Sequence, residues 1–288
     1  MPFRVITMQS VRIQLLMTFM AAATAGGVLV AKGLPPETRL SVLVSIGDVR
    51  AASRALDWGA PIDDSLGLGL TALHIAASCD QAGAVRLLID RGADVNAAGY
   101  FGMVPLCLVH TKGMAELLVS GGADVDARDL DGRTPLYHAV HDGYEEVVLY
   151  LLDQGADVNA TVEITPIHAA ALQGRCDIAR LLVARGADVN ARATGGSTPL
   201  HFSACWRHRD FVEFLLSLGA DVNATSTDGM TPLKEAARGK AADIAELLIA
   251  AGANVKAGAG RGWTPLRWAL EVKADDVAEV LRRHGATE

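Results

Sequence analysis

Apolar residues in this chain fall into two kinds of pair that alternate along it. Small pairs, such as Ala76-Ala77, Ala169-Ala170 and Ala236-Ala237, predict helices that neighbours can approach closely. Bulky pairs, Leu87-Leu88, Leu151-Leu152, Leu181-Leu182, Leu215-Leu216 and Leu247-Leu248, predict a second helix after each of the first kind. The polar punctuation between them recurs as well. A block reading Thr-Pro-Leu-His, or a variant of it, begins at Thr71, Val104, Thr134, Thr165, Thr198, Thr231 and Thr264. Thr before Pro is a helix start: the hydroxyl caps, and Pro at the first helical position gives up no useful hydrogen bond. A second block, Gly-Ala-Asp-Val-Asn-Ala or a close variant, begins at Gly92, Gly122, Gly155, Gly186, Gly219 and Gly252. Its Gly stops the second helix in the left-handed conformation. The short, polar, Gly-containing stretch before the next Thr-Pro reads as a hairpin turn. The unit is helix, turn, helix, finger.

Within each block series the spacing is 33 residues, apart from two local exceptions. Such a period predicts stacked supersecondary units in place of a single globular core. The exceptions are specific. Val104 to Gly122 spans 18 residues where other units span 21, so about one helical turn is missing. Gly155 to Thr165 spans 10 where others span 12, so that finger is truncated. Val104 also replaces the capping Thr, and Cys107 the His. Two readings stand: neutral drift at an exposed tip, or an irregularity that shapes a partner site.

The units resemble ankyrin repeats, as in Thr198-Pro199-Leu200-His201 and Gly186-Ala187-Asp188-Val189-Asn190. The resemblance runs over residues 37 to 288. It implies a mainly α fold, an ankyrin-repeat solenoid of stacked helix pairs with short β-hairpin-like fingers, in which fingers and first helices line a concave face. The units fall at 69–101, 102–131, 132–162, 163–195, 196–228 and 229–261. A degenerate N-terminal cap occupies 37–68, because Gly59 precedes Gly92 by 33, and a C-terminal cap occupies 262–288, where Lys273, Asp275, Asp276, Arg282 and Arg283 supply the polar outer face a cap requires. In this family the His of Thr-Pro-Leu-His, here His74, His168 and His201, hydrogen-bonds backbone in the adjoining turns.

Residues 1–36 stand outside the repeat. Arg4 and Arg12 precede an uncharged stretch from Ile13 to Ala31, and Ala23-Thr24-Ala25 is a small-x-small exit followed by Gly26-Gly27. This reads as a secretory signal peptide over 1–25. The alternatives are an uncleaved membrane anchor or tether through 13–31, just long enough to span, and an amphipathic cytosolic extension. Residues 26–36, ending Gly33-Leu34-Pro35-Pro36, read as a linker. The expected location is periplasmic or secreted, or else inner-membrane anchored with the repeats outside the cytoplasm. Ala, Gly, Val and Arg usage fits a high-GC bacterial source.

Composition adds little beyond excluding some partners. The 288 residues are 50% hydrophobic and 5% aromatic, with a formal charge of −7, or −9 once Arg4 and Arg12 leave with residues 1–25. An acidic chain without a basic run is a poor nucleic-acid binder. Cys79, Cys107, Cys176 and Cys205 occupy different repeat positions; only Cys176 with Cys205 is a conceivable disulfide, and partly buried thiols are expected. Cys107 with His110, His138 with His141 and Cys205 with His208 each offer two ligands one turn apart, but a zinc site needs three or four. Gly67-Leu68-Gly69-Leu70-Thr71-Ala72 fits a nucleotide-binding pattern yet falls in a finger, without the strand-helix-strand context. No metal, cofactor or small-molecule substrate is expected, and no segment remains for a catalytic domain.

The family resemblance places partner contacts at the finger tips and first-helix ends. The finger positions include Leu68, Leu70, Tyr100, Phe101, Met103, Leu130, Arg133, Met230, Arg261 and Trp263; the first-helix ends add His141, Cys205, Trp206 and Arg207. Aromatics and Arg dominate protein interfaces. From these, Tyr100, Phe101, Met103, Arg133, His141, Trp206, Arg207, Met230, Arg261 and Trp263 form the expected partner-binding set. The alternative is that some, Trp263 above all, simply close the stack. The function expected is that of a monomeric, non-enzymatic scaffold binding a protein. The competing reading is an accessory or regulatory subunit that protects or activates an envelope enzyme. A cryptic hydrolase is disfavoured for want of a domain to house it.

Overall fold

A computed structural model describes residues 36–65, 69–160, 163–258 and 263–287, with side chains from residue 40 onward. The proposed signal segment and the linker before Pro36 lie outside the described residues, as do Leu68 and Arg261. Among the described residues are fifteen α-helices: α1 Pro36–Ser45, α2 Val49–Asp57, α3 Ala72–Ser78, α4 Ala82–Asp90, α5 Lys112–Ser120, α6 Pro135–Asp142, α7 Glu145–Asp153, α8 Pro166–Gln173, α9 Cys176–Ala184, α10 Pro199–Cys205, α11 Arg209–Ser217, α12 Pro232–Arg238, α13 Ala242–Ala250, α14 Pro265–Glu271 and α15 Asp275–Arg283. Two 3₁₀ turns, Tyr100–Gly102 and Pro105–Leu108, precede α5. Pro36 is the first residue of α1 rather than the last of the linker.

The chain divides into two compact units, Met1–Asp157 and Val158–Glu288. Inside each, first helices pack on first helices and second helices on second. In the second unit α8, α10, α12 and α14 form one row, and α9, α11, α13 and α15 the other. The alanine pairs explain the close approach of the first row: Ala76, Ala77, Ala169, Ala170, Ala236 and Ala237 are completely buried. Of the leucine pairs, one member always faces the core, as Leu88, Leu151, Leu182, Leu215 and Leu248 show, each with no exposed surface.

Each second helix stops the same way. At Gly92 φ is +85°, which a residue without Cβ adopts freely. The Ala93 N–H then reaches the Leu88 carbonyl and the Gly92 N–H the Ile89 carbonyl, both at 3.0 Å. These are the two bonds of a Schellman ending, satisfying carbonyls the helix leaves open.

The rest of the Gly-Ala-Asp-Val-Asn block joins one repeat to the next, a role its sequence did not disclose. The Asp94 carboxylate accepts from the Asn96 N–H at 2.9 Å and holds the turn. The Asn96 amide then bridges forward: its Nδ2 donates to the Gly122 carbonyl at 3.0 Å and its Oδ1 accepts from the Asp124 N–H at 2.8 Å. Asn159 and Asn223 repeat both bonds. Asp126 stands where Asn would. Its Oδ1 still accepts from the Asp157 N–H at 3.0 Å, but a carboxylate has no donor for the glycine carbonyl.

The fingers are shorter than hairpins. The fully described ones close with one backbone bond across the base, from the Gly99 N–H to the Met103 carbonyl at 2.9 Å, from Asp129 to Arg133, from Ala193 to Ser197 and from Ser226 to Met230. One further bond links neighbouring tips, from the Leu130 N–H to the Phe101 carbonyl or from Thr227 to Gly195. One ladder bond is too little for a strand, and none forms among the described residues. The missing helical turn of the 104–122 unit comes wholly out of its first helix, which shrinks to the 3₁₀ turn Pro105–Leu108, while α5 keeps nine residues. The short turn stays packed: Leu106, Cys107, Leu108 and Val109 are all buried.

Buried histidines tie fingers to helices. In the 71–90 unit, the Thr71 N–H donates to His74 Nδ1 at 3.2 Å, and the Thr71 hydroxyl lies 2.9 Å from the same atom. A ring nitrogen that accepts from an N–H carries no proton, so the proton sits on Nε2, which donates to the Met103 carbonyl of the next finger at 2.9 Å. His168 does the same to Ser197 and His201 to Met230, both at 3.1 Å. The finger 129–133, which Cys107 cannot tether, is held from its own first helix. His138 Nε2 reaches Asp129 Oδ2 at 2.9 Å, while Asp129 Oδ1 accepts from the N–H groups of Asp131 and Arg133. Lys234, fully buried, donates from Nζ to the Gly229 carbonyl at 3.1 Å.

Burial lowers the pKa of all three tethering histidines, His168 from 6.5 to about 4, with bonds to backbone opposing the shift only in part. A proton on Nδ1 would also face the Thr N–H that now donates to it. With the folded value below the unfolded one, protons bind the unfolded chain in preference, and stability falls as pH drops from 6.5 towards 4. For His168 alone the loss amounts to about 3 kcal/mol over that window. The urea unfolding midpoint should therefore decline between pH 6.5 and 5. In the variant His168→Gln, which cannot titrate, the midpoint at pH 7 should be lower and the decline shallower; an equal decline in both would rule out this source.

Candidate partner-binding surface

The expected partner residues separate into exposed and interior groups. In the first unit, the turn 99–103 presents Tyr100 and Phe101 with ring centroids 4.3 Å apart, edge to face. Phe101 is 43% exposed and has φ +53°, a left-handed conformation that costs a bulky residue about 1–2 kcal/mol. The corresponding position of the turn 193–197 is Gly195, with φ +96°. Leu130, 79% exposed, projects at the next tip, within bonding reach of Phe101 through the backbone. Arg133 lies beside them, bonded to Asp131 at 3.0 Å, with its guanidinium 5.4 Å from the Tyr137 ring centroid.

Three of the expected contacts are interior. Met103 and Met230 are buried at 5% and 7% exposure; their backbone carbonyls receive the histidine tethers, so they serve the closing of the finger. His141 is also buried, with Nδ1 2.9 Å from Asp142 Oδ1 and its ring stacked on Tyr137. Finger or helix-end position alone does not distinguish a side chain pointing outward from one turned into the core, and these three lie on the inward side.

In the second unit Trp206 follows the end of α10 and is 59% exposed, with exposed Arg207 next to it at φ +65°. Trp263 is half-buried, edge-on to Trp268 with centroids 5.3 Å apart and the Arg267 guanidinium 5.2 Å from its ring. That geometry supports a packing role for Trp263 at the end of the stack.

One feature of this surface escaped the sequence reading. The residue linking the first helix to the second is left-handed in seven repeats: Gly47, Asp80, Gly143, Gly174, Arg207, Lys240 and Lys273. In the second unit three of the four are exposed cations. Aligning the chain by its own 33-residue period puts them in one column with the glycines, and that alignment was the available signal.

Among the described residues the groups that could carry chemistry are engaged elsewhere. The imidazoles of His74, His168 and His201 have both nitrogens committed to backbone and neighbouring hydroxyl. All four cysteines are thiols, with Cys176 and Cys205 unbridged. Burial raises the Cys107 thiol to about 12, far from a nucleophile's range. The Cys205 sulfur accepts from Arg238 at 3.1 and 3.3 Å, yet desolvation still pushes its pKa upward. Among the described residues no group of three or more His, Cys, Asp or Glu is placed to hold a metal ion.

Comparison with known families agrees with the geometry. A model of ankyrin repeats in three copies matches residues 98–162, 161–226 and 219–287, and a single ankyrin-repeat model matches 68–100. Comparison with curated proteins finds no significant match. With repeat models covering nearly all of 68–287, and with helix pairs, Schellman glycines and histidine tethers recurring at the matched positions, the chain belongs to the ankyrin repeat family.

Proposed function

We propose that this chain is a non-enzymatic scaffold that binds a protein partner through its finger tips and first-helix ends. Ankyrin repeats generally serve as protein–protein interaction modules. The observation that carries the reading to these residues is the exposure of Phe101 and Leu130 in the first unit and Trp206 in the second, in a chain only 5% aromatic. Exposed aromatics on preorganised backbone bind at little ordering cost, and the turns here are fixed by buried hydrogen bonds. Phe101 supports this most directly, since a conformation that strains Phe and would suit Gly keeps an apolar ring at the surface.

Truncating an interface anchor of this kind costs about 2 kcal/mol or more. Phe101→Ala and Trp206→Ala should each weaken association with the partner captured from the native source at least about tenfold, without lowering the melting temperature. Glu145→Ala and Glu213→Ala, on the exposed sides of α7 and α11, should leave it unchanged. Affinity and thermal melting measured on the same four variants decide the matter. Binding that survives the first pair and fails with the second would reverse the assignment.

The second part of the proposal is export. It is supported by Arg4 and Arg12, the uncharged stretch Ile13 to Ala31 and the exit Ala23-Thr24-Ala25. Intact mass of natively produced protein should show an N-terminus at Gly26. A full-length chain in the soluble cytosolic fraction would contradict export, and a full-length chain in the membrane fraction would favour the anchor.

A further inference from the structure

The cation column of the second unit has a chemical preference of its own. Resting on the protein-binding reading, we propose that Arg207, Lys240 and Lys273 form a docking strip for an extended acidic segment of the partner, with Trp206 receiving an apolar residue beside it.

Four observations converge on this. First, the three cations are held at φ +65°, +54° and +56°, where Gly174 serves the preceding repeat and Gly47 and Gly143 serve the first unit. Glycine removes this strain, so three strained cations in succession are not demanded by the turn. Second, among the described residues Arg207, Lys240 and Lys273 make no ion pair. Their neighbours do: Arg209 binds Glu213 at 2.9 Å and Asp243 at 3.7 Å, and Arg238 binds Glu235 at 2.8 Å. The charged groups of the strip are therefore not held in ion pairs, while those of Arg209 and Arg238 are. Third, the setting is not generally basic. Residues 36–157 carry eight Lys and Arg against eighteen Asp and Glu, and residues 158–288 carry fifteen of each. The strip is a local feature of a balanced unit. Fourth, packed helices lie about 8–10 Å apart, and an extended polyproline II peptide advances about 3.1 Å per residue with three residues per turn. Acidic side chains three residues apart on such a segment share one face and would meet successive cations.

A nucleic-acid backbone fits less well. Exposed Asp177, Asp210, Asp243 and Asp276 begin the second helices a few residues beyond the strip and would repel a continuous run of phosphates. Glu271 and Asp275, both exposed and each two residues from Lys273, are the carboxylates nearest the strip in sequence, and they should oppose an acidic ligand.

The test uses the full chain and a fluorescein-labelled peptide with glutamate at every third position between terminal leucines, read by anisotropy. The controls are a peptide of the same composition with its glutamates contiguous, and a single-stranded RNA of similar charge. The spaced peptide should bind most tightly and weaken as salt rises. The triple variant Arg207→Gly, Lys240→Gly, Lys273→Gly should bind it about tenfold less well, with exposed charges each contributing modestly. Its melting temperature should hold or rise, because glycine relieves the left-handed strain. Glu271→Gln should tighten binding, an outcome that cannot come from misfolding. Equal binding of the contiguous peptide or of RNA would overturn the strip, as would undiminished binding by the triple variant. Native partner association lost with Trp206→Ala but intact in the triple variant would also remove the strip, while leaving the protein-binding reading in place.

Discussion

Each helix pair in this chain leaves an apolar face that only the next pair can cover, so everything depends on how repeats are held in register. The buried neutral imidazole is the most demanding solution. It must accept at Nδ1 from its own helix start and donate at Nε2 to the next finger, and one tautomer alone does both. The Asn amide of the Gly-Ala-Asp-Val-Asn block works in the same way, with a donor and an acceptor spent on two backbone groups of the next repeat. Apolar packing between small helices is tolerant of sliding. These paired donor–acceptor contacts are not, since each fixes two backbone groups at once, and for the buried imidazoles an unmatched polar group would cost about 1–3 kcal/mol.

Where a residue lacks one half of the pairing, the structure shows a local substitute. Cys107 cannot tether the finger at 129–133, and His138 instead anchors it from behind through Asp129. Lys234 adds a second hold, through the Gly229 carbonyl, on a finger that His201 already tethers. Asp126 keeps the accepting bond and forfeits the donating one. The same rigid register allows residues to be carried in costly conformations at the surface. Phe101, Arg207, Lys240 and Lys273 all sit at left-handed positions for which the chain uses glycine elsewhere, and all four present exposed side chains.

Much of the fold was legible because period, helix starts and helix stops are each written in a few residues with a direct mechanical meaning. Thr-Pro and the block Gly mark ends whose geometry the structure reproduces. The side-chain bridges were less legible: the sequence shows that Asn96 recurs, but only the stacking distance brings it to Gly122 and Asp124. The partner residues divided along the same line. Phe101 and Trp206 are exposed, whereas Met103 and Met230 turn inward because the direction of a side chain within a five-residue turn is set by its packing, and His141 is held inward on α6 by Asp142 and Tyr137. The cation column went unread for a different reason. Its members are single residues 33 apart, and charge was weighed over the chain, where it sums to −7.

The proposed binding face consists of turns and first-helix ends, the turns at 99–103 and 129–133 being held by buried hydrogen bonds. Hydrogen exchange of the complex with the native partner, compared with the free chain, tests this most directly. New protection is predicted at residues 99–103 and 129–133 and at 205–207, with α7, α11 and α13 unchanged. Protection confined to those second helices, with the turns and first-helix ends exchanging as in the free chain, would contradict it.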